Sequence, residues 1–264
     1  MNKKSRLIIV NADDLGISKT VNREIERLHR LGVLSSATIL ANAPCVEEVP
    51  LIHKRNPDLG LGVHLAATDF QALTSAVQSS NLCDQQGVFY PDFRSRYQIN
   101  MTQILIEEWV AQINRLRSMG IEIDHVDSHH HVHTWPTVLP ALREVVRRTG
   151  IHWVRNTRNL VPNAERKGIR AVAKYAGKSL WSRLAESFGM RMTRNFCSVT
   201  DLVHLEEQNS SWDWNGHLEL MCHPGDNQSD EFVAEAGWLE CRFTEWVKRK
   251  GVLTTYHDLK LNNS

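Results

Sequence analysis

The sequence predicts an α/β protein built on a parallel sheet, and three observations predict it. Short runs of β-branched and other apolar residues alternate with longer segments of helical periodicity. The strand-like runs are apolar on both faces, as strands covered by helices on each side must be. About eight such runs occur in 264 residues, a number that suggests a closed barrel, with an open doubly wound sheet as the competing architecture.

In chain order, strands are expected at 7–11 (LIIVN), 36–41, 59–65 (LGLGVHL), 123–128 (IDHVDS), 151–156, weakly at 197–201, 217–222 (HLELMC) and 251–256. Between them, 18–32 opens on Ser18, a capping residue type, and stops at Gly32. Segments 101–120 and 136–150 also stop at glycine, and a last helix is expected over 230–251. Residues 66–98 form a long irregular insertion, and loops of that length are often functional.

Composition bounds the class. Hydrophobic residues make up 42% and charged residues 23%, the balance of a globular protein with a sizeable core. A formal net charge of +1 gives no overall pull toward nucleic acid or membrane. The five cysteines, Cys45, Cys83, Cys197, Cys222 and Cys241, are widely spaced and contain no C-x-x-C pair, which argues for a reducing, cytoplasmic setting. The apolar run at 7–10 is too short for a signal-peptide core, and no stretch approaches a membrane span. Residues 143–194 are rich in Arg and Lys, which reads first as solvated helix faces. The segment WDW (212–214) can stack on sugar rings or pack under its loop.

Polar residues fall where strands end. Asp13 and Asp14 follow the first strand, His64 ends the third, Asp127 and His129 end the fourth, and Arg155 ends the fifth. His223 follows the seventh and His257 the last. Active sites of α/β barrels are built at the C-terminal ends of the strands, so the convergence marks one.

Each cluster has a chemistry. In NADDLG (11–16), two adjacent carboxylates follow a buried strand, which is costly unless a cation or partner neutralises one. In extended chain the two would point opposite ways, one toward a metal and the other toward substrate or water. The run HVDSHHHVH (125–133) holds five histidines and one aspartate in nine positions, a density suited to metal binding and proton transfer. Extended chain would put Asp127, His129, His131 and His133 on one face; a helix would instead pair His129 with His133. His223, before the Pro224–Gly225 turn, is a candidate general acid or base.

The motifs IVNADDLG, LGVHL, HVDSHHHVH and LELMCHPG, in that order and at these separations, resemble the YdjC-like carbohydrate deacetylases over about residues 6 to 258. The resemblance implies a single-domain distorted TIM-like (β/α) barrel over 1–264 that removes acetyl groups from N-acetylated sugars. It implies a homodimer and a divalent metal, described for the family as magnesium, held by Asp14, His64 and His129. It also implies Asp13 as base and His223 as acid. Two imidazoles favour zinc over magnesium on ligand chemistry. Leu15 replaces the family's usual Phe, and Ala66–Ala67 stand where many members carry a polar residue, so substrate preference is the property most open to change. The expected partner is a small carbohydrate, with no nucleic acid or membrane. The competing readings are another metallohydrolase, such as a phosphoesterase or amidohydrolase, and a non-catalytic sugar-binding protein.

Overall fold

The computed structural model describes residues 6–156, 158, 169–207, 214–225 and 230–261. Every named strand pairing is parallel, because each strand is followed by a segment that carries the chain back to the start of the sheet. The first units are β1 (Leu7–Leu15), α1 (Lys19–Arg30), β2 (Ser36–Ile39), α2 (Val49–Arg55) and β3 (Gly60–Leu65). The insertion carries two one-turn helices, α3 (Ser75–Gln78) and α4 (Phe93–Arg96), before α5 (Thr102–Ser118) and β4 (His125–Ser128). Then come α6 (Leu139–Thr149), β5 (Trp153–Val154), α7 (Ile169–Ser187), β6 (Asn195–Ser198) and α8 (Val199–Glu207). The chain ends with β7 (His217–Cys222), α9 (Asp230–Cys241), α10 (Phe243–Lys250), β8 (Val252–Leu253) and α11 (Tyr256–Leu261).

The strand order is β5-β4-β3-β2-β1-β7-β6, with β8 paired to the start of β1. The sheet curls until Trp153 in β5 bridges Arg191, just ahead of β6, through Val154 N–H to Arg191 O and Arg191 N–H to His152 O. The result is the distorted, incompletely closed barrel that about eight strands suggest. Its core is continuous from the strand faces to the covering helices. Val21, Ile25 and Leu28, one face of α1, are buried in it, each contributing about 1.5–3 kcal/mol of burial. Ser18 caps that helix by accepting the Val21 N–H at 3.1 Å. All five cysteines are free, and no helix among the described residues is long and apolar enough to cross a membrane.

Several expectations change: the strands expected at 151–156 and 251–256 pair only over Trp153–Val154 and Val252–Leu253, and α11 begins at Tyr256. β1 runs past residue 11 to Leu15, through a bulge between Ala12 and Leu15. Strand β6 stops at Ser198, where the serine hydroxyl accepts the Asp201 N–H and starts α8. The expected helix 230–251 breaks at Arg242, which lets the buried Phe243 and Trp246 turn in against Trp238. The insertion is less irregular than its sequence. Buried Glu108 of α5 accepts the Leu73 and Thr74 N–H groups and the Thr74 hydroxyl, and Gln112 binds both backbone polar groups of Ala66. The basic residues Arg147 and Arg148 pair with Glu144 on an exposed helix face, the solvated arrangement expected for them.

Gly62 in β3 is required by close approach. A Cβ there would lie 2.6 Å from both ring nitrogens of His125 and closer still to Cε1. That ring cannot withdraw, because its other side stacks on Tyr256 at 4.0 Å between centroids, and Asp124 holds Nδ1. Gly62→Ala is therefore expected to cost about 2 kcal/mol through overpacking. Urea denaturation checks it, and an unchanged midpoint would show that the His125 ring is free to move.

Candidate active site

The bulge in β1 decides the geometry of the paired acids. Asp14 adopts a left-handed backbone, φ 67°, a conformation that non-glycine residues seldom hold away from functional sites. Strand alternation fails there, and both carboxylates approach one imidazole. His64 Nε2 lies 3.4 Å from Asp14 Oδ1 and 4.0 Å from Asp13 Oδ2. The expectation that the two acids point opposite ways is thus corrected by one strained residue.

His64, at the end of β3, is oriented from behind. Its Nδ1–H donates to Asp127 Oδ1 at 2.6 Å, leaving Nε2 toward the acids. The Thr38 hydroxyl donates to Asp127 Oδ2 at 3.1 Å. Burial works against a charged imidazole, but the Asp127 and Asp13 carboxylates outweigh it and push His64 up to about 9. For Asp14, burial raises the pKa despite the nearby His64, and its Oδ1 is buried without a hydrogen-bond partner. An imidazole drawn toward protonation beside an unpartnered carboxylate oxygen marks a place where positive charge is missing.

The histidine run takes neither of the two geometries read from its sequence. β4 ends at Ser128, and His129–Thr134 form a tight turn in which His130 and His131 are left-handed, φ 52° and 53°. His129 Nδ1 meets the Thr68 hydroxyl at 2.9 Å and Asp69 at 3.5 Å, and its ring centroid lies 5.8 Å from that of His64. Burial, reinforced by His64 and His130, lowers its pKa to about 3, so it is neutral and able to bind a metal. His133 instead braces the turn against β5, with Ser128 Oγ 2.6 Å from its Nδ1 and Nε2 facing the Arg155 carbonyl at 3.3 Å.

Arg155 reaches from the end of β5 across the barrel interior. It is wholly buried and grips Asp13 with two N–H groups at 2.7 and 2.6 Å. It also meets Asp127 Oδ2 at 2.7 Å and Glu219 Oε1 at 2.7 Å. Burial alone would raise the Asp13 pKa, yet the adjacent guanidinium holds it well below the usual carboxylate range. Tyr256 completes the group by donating to Glu219 Oε2 at 2.5 Å.

His223 follows β7, with Nε2 4.0 Å from Asp13 Oδ2. Asp13, Asp14, Ile17, Ser18, Val21, His223, Pro224 and Gly225 line a pocket of about 130 Å³, half polar and half apolar in its residues. Of the sequence-selected residues, Asp13, Asp14, His64 and His223 thus converge, with His129 beside His64. The tightest donor groupings among the described residues are Asp13–His64–Asp127 and Asp69–His129–His130. Arg155 occupies both oxygens of Asp13, and Asp127 is taken by Arg155, Thr38 and His64. Asp14 Oδ1, by contrast, has no hydrogen-bond partner and lies 3.4 Å from His64 Nε2, with the neutral His129 ring beside that of His64. Sequence reasoning left Arg155 without a role and did not single out Thr38 or Glu219; an acid inside the apolar run HLELMC was the available signal for Glu219. Trp214 is buried in the core beneath Arg6, 5.4 Å from its ring centroid, while residues 212 and 213 lie outside the described residues. His257, at the start of α11, is exposed.

Replacing Arg155 with Met would leave Asp13, Asp127 and Glu219 buried without their shared cation. The expected loss is about 3–5 kcal/mol of stability. Denaturant unfolding measures it, and a loss no larger than that of a surface arginine would refute the central role assigned to this side chain.

The YdjC-like protein family profile matches residues 7–250. A carbohydrate deacetylase of Halalkalibacterium halodurans is 31% identical over 247 residues, covering 90% of this chain and 93% of its own. A carbohydrate deacetylase of Thermoanaerobacter pseudethanolicus is 31% identical over 222 residues, covering 83% of this chain and 81% of its own. The solved structure of a candidate cellobiose-phosphate cleavage protein from Enterococcus faecalis V583 aligns with a TM-score of 0.75 at 23% identity, over 97% of this chain and 99% of that one, and bears on the fold alone. With the profile running from the start of β1 to the last residue of α10, the chain belongs to the YdjC-like protein family.

Proposed function

We propose that this chain is a single-domain, metal-dependent carbohydrate N-deacetylase of the cytoplasm, working as a homodimer on N-acetylated sugars. The observation that carries the reading is one small pocket lined by Asp13, Asp14 and His223, in which Asp13 Oδ2 lies 4.0 Å from His223 Nε2 and Asp14 Oδ1 has no hydrogen-bond partner. Relatives that match nearly the whole chain bear the name carbohydrate deacetylase, which supports the same chemistry. Asp14, His64 and His129 would hold the cation, magnesium by family resemblance or zinc by the preference of two imidazoles. A divalent cation supplies positive charge that acidifies water and polarises an acyl carbonyl.

The chain's own residues divide the proton work. Asp13 stays ionised across the physiological range and is aimed by the Arg155 fork, so it is ready to accept a proton from attacking water. His223 is pushed up in pKa: burial opposes the charge, but Glu235 and the paired aspartates outweigh it. A protonated imidazole donates to the sugar nitrogen as the C–N bond breaks, giving acetate and the free amine. Ile17, Val21 and Pro224 give the acetyl methyl an apolar wall.

The direct test is acetate release from a panel of N-acetylated sugars, diacetylchitobiose included, comparing chelator-stripped protein with protein restored by magnesium, zinc or manganese. Metal-dependent release is expected; silence across the panel with metal bound would sink the deacetylase reading and favour another metallohydrolase. Asp13→Asn is expected to keep its metal while turnover falls roughly 10²-fold or more. Near wild-type turnover would remove Asp13 as base. His129→Ala is expected to lose metal content by elemental analysis, and full stoichiometry would take His129 out of the ligand set.

A further inference from the structure

Helix α9 packs behind His223 and touches it in two ways. Phe232 stacks on the imidazole, with centroids 4.3 Å apart and rings 29° from parallel. One turn further along, Glu235 is 1% exposed and places Oε2 2.9 Å from the His223 backbone N–H, which donates to it. The same oxygen lies 3.8 Å from Nδ1 of the ring. That nitrogen is itself buried and has no hydrogen-bond partner. The other oxygen, Oε1, accepts the Thr200 hydroxyl at 2.7 Å and the Thr200 N–H at 3.2 Å. A carboxylate is thus sunk beneath the imidazole, anchored by Thr200 and the backbone, and faces an unsatisfied ring nitrogen just beyond hydrogen-bond length.

We propose that Glu235 is the positioning residue of His223: its carboxylate holds Nδ1–H and turns Nε2 toward the reaction pocket. The assignment rests on the reading of His223 as the acid. Burying a carboxylate is costly, and an anchor for one backbone N–H and one threonine needs no charge. A negative charge beside Nδ1 does need one, since it favours the imidazolium that a general acid must be at neutral pH. Catalytic hydrogen bonds are often long without substrate, and closing 3.8 Å to bonding distance takes a small ring movement.

The proton balance is simple. The imidazolium gives its Nε2 proton to the departing nitrogen and becomes neutral, retaining Nδ1–H on Glu235. Nε2 is reprotonated from solvent, to which 18% of the His223 side chain is exposed. Among the described residues, the titratable groups facing His223 are Asp13 and Asp14 from β1, Glu235 from α9 and His129 after β4, with Phe232 on the apolar side. Removing the Glu235 charge leaves the aspartates, so the His223 pKa falls and the alkaline limb of activity moves to lower pH.

The test compares wild type, Glu235→Gln, Thr200→Val and His223→Ala, all magnesium-loaded and checked for metal content. Acetate release from diacetylchitobiose is followed across the neutral and alkaline range. In Glu235→Gln, kcat at neutral pH is expected to fall on the order of tenfold or more with KM unchanged, a part of the roughly 10²-fold a positioned acid supplies. Its alkaline limb shifts down, while Thr200→Val, which loosens the same anchor, leaves the limb in place. Equal losses in both variants with an unmoved limb would overturn the assignment and leave Glu235 a structural anchor. If Glu235→Gln does not fold, Glu235→Asp, which draws the carboxylate back by one methylene, is expected to shift the limb in the same direction. NMR titration of the His223 ring gives an answer independent of turnover: a lower midpoint in the variant supports the proposal, and an identical midpoint overturns it. Should His223→Ala keep wild-type activity, it is the acid role of His223 that fails; loss there with an unaltered Glu235→Gln sinks only the role of Glu235.

Discussion

One buried cation holds the interior together. Arg155 leaves the end of β5, passes through the barrel and ties Asp13 on β1, Asp127 on β4 and Glu219 on β7 to a single guanidinium. Three carboxylates without water around them would not remain ionised, and the planar fork meets each with a directed N–H. Buried ion pairs add little net stability on average, because desolvation cancels much of the attraction. What this one supplies is placement. It ties the ends of three strands to one point at the mouth of the barrel and keeps Asp13 charged.

Around that group the proton affinities separate, for Asp13 through the guanidinium and for its neighbours through burial and each other. Asp13 is driven down by the guanidinium, Asp14 is driven up by burial, His64 rises to about 9 and His129 falls to about 3. Neighbouring groups pushed in opposite directions divide the roles of acid, base and ligand within one site. The carboxylates also differ in how far their oxygens are already bound. Those bound to Arg155 are occupied, and Asp14, which escapes it through a strained backbone, has an oxygen to offer.

Much of this was legible in the sequence, and the reasons differ by element. The strands were visible because apolar runs in a parallel sheet carry their own signature, and α1 because Ser18 and Gly32 punctuate it. Asp13, Asp14, His64 and His223 could be gathered because a barrel brings strand ends together whatever their spacing. The bulge at Asp14 could not be foreseen, since alternation is the natural reading of adjacent residues in a strand and nothing in NADDLG announces its failure. Nor could the turn at His130 and His131, where two non-glycine residues take left-handed backbone. Glu235 left no trace: an acid in a helical segment reads as solvent-facing until the fold buries it 12 positions from its partner. The break at Arg242 was hidden for the same reason, since tertiary packing of Phe243 and Trp246 overrides an unbroken helical pattern.

The bridge between Trp153 and Arg191 gives the barrel a seam, secured by two backbone hydrogen bonds rather than a full ladder. Asp13, Asp14, His64, Asp127 and His223 all lie on the unbroken arc β4-β3-β2-β1-β7, away from that seam. The barrel is therefore a split ring, not a hoop. Arg155 follows β5 directly beside that gap, so its bonds to Asp13, Asp127 and Glu219 are the tie that links the open side of the ring to the arc that carries the chemistry. A change at the seam therefore reaches the base through one side chain, not through the backbone of the sheet.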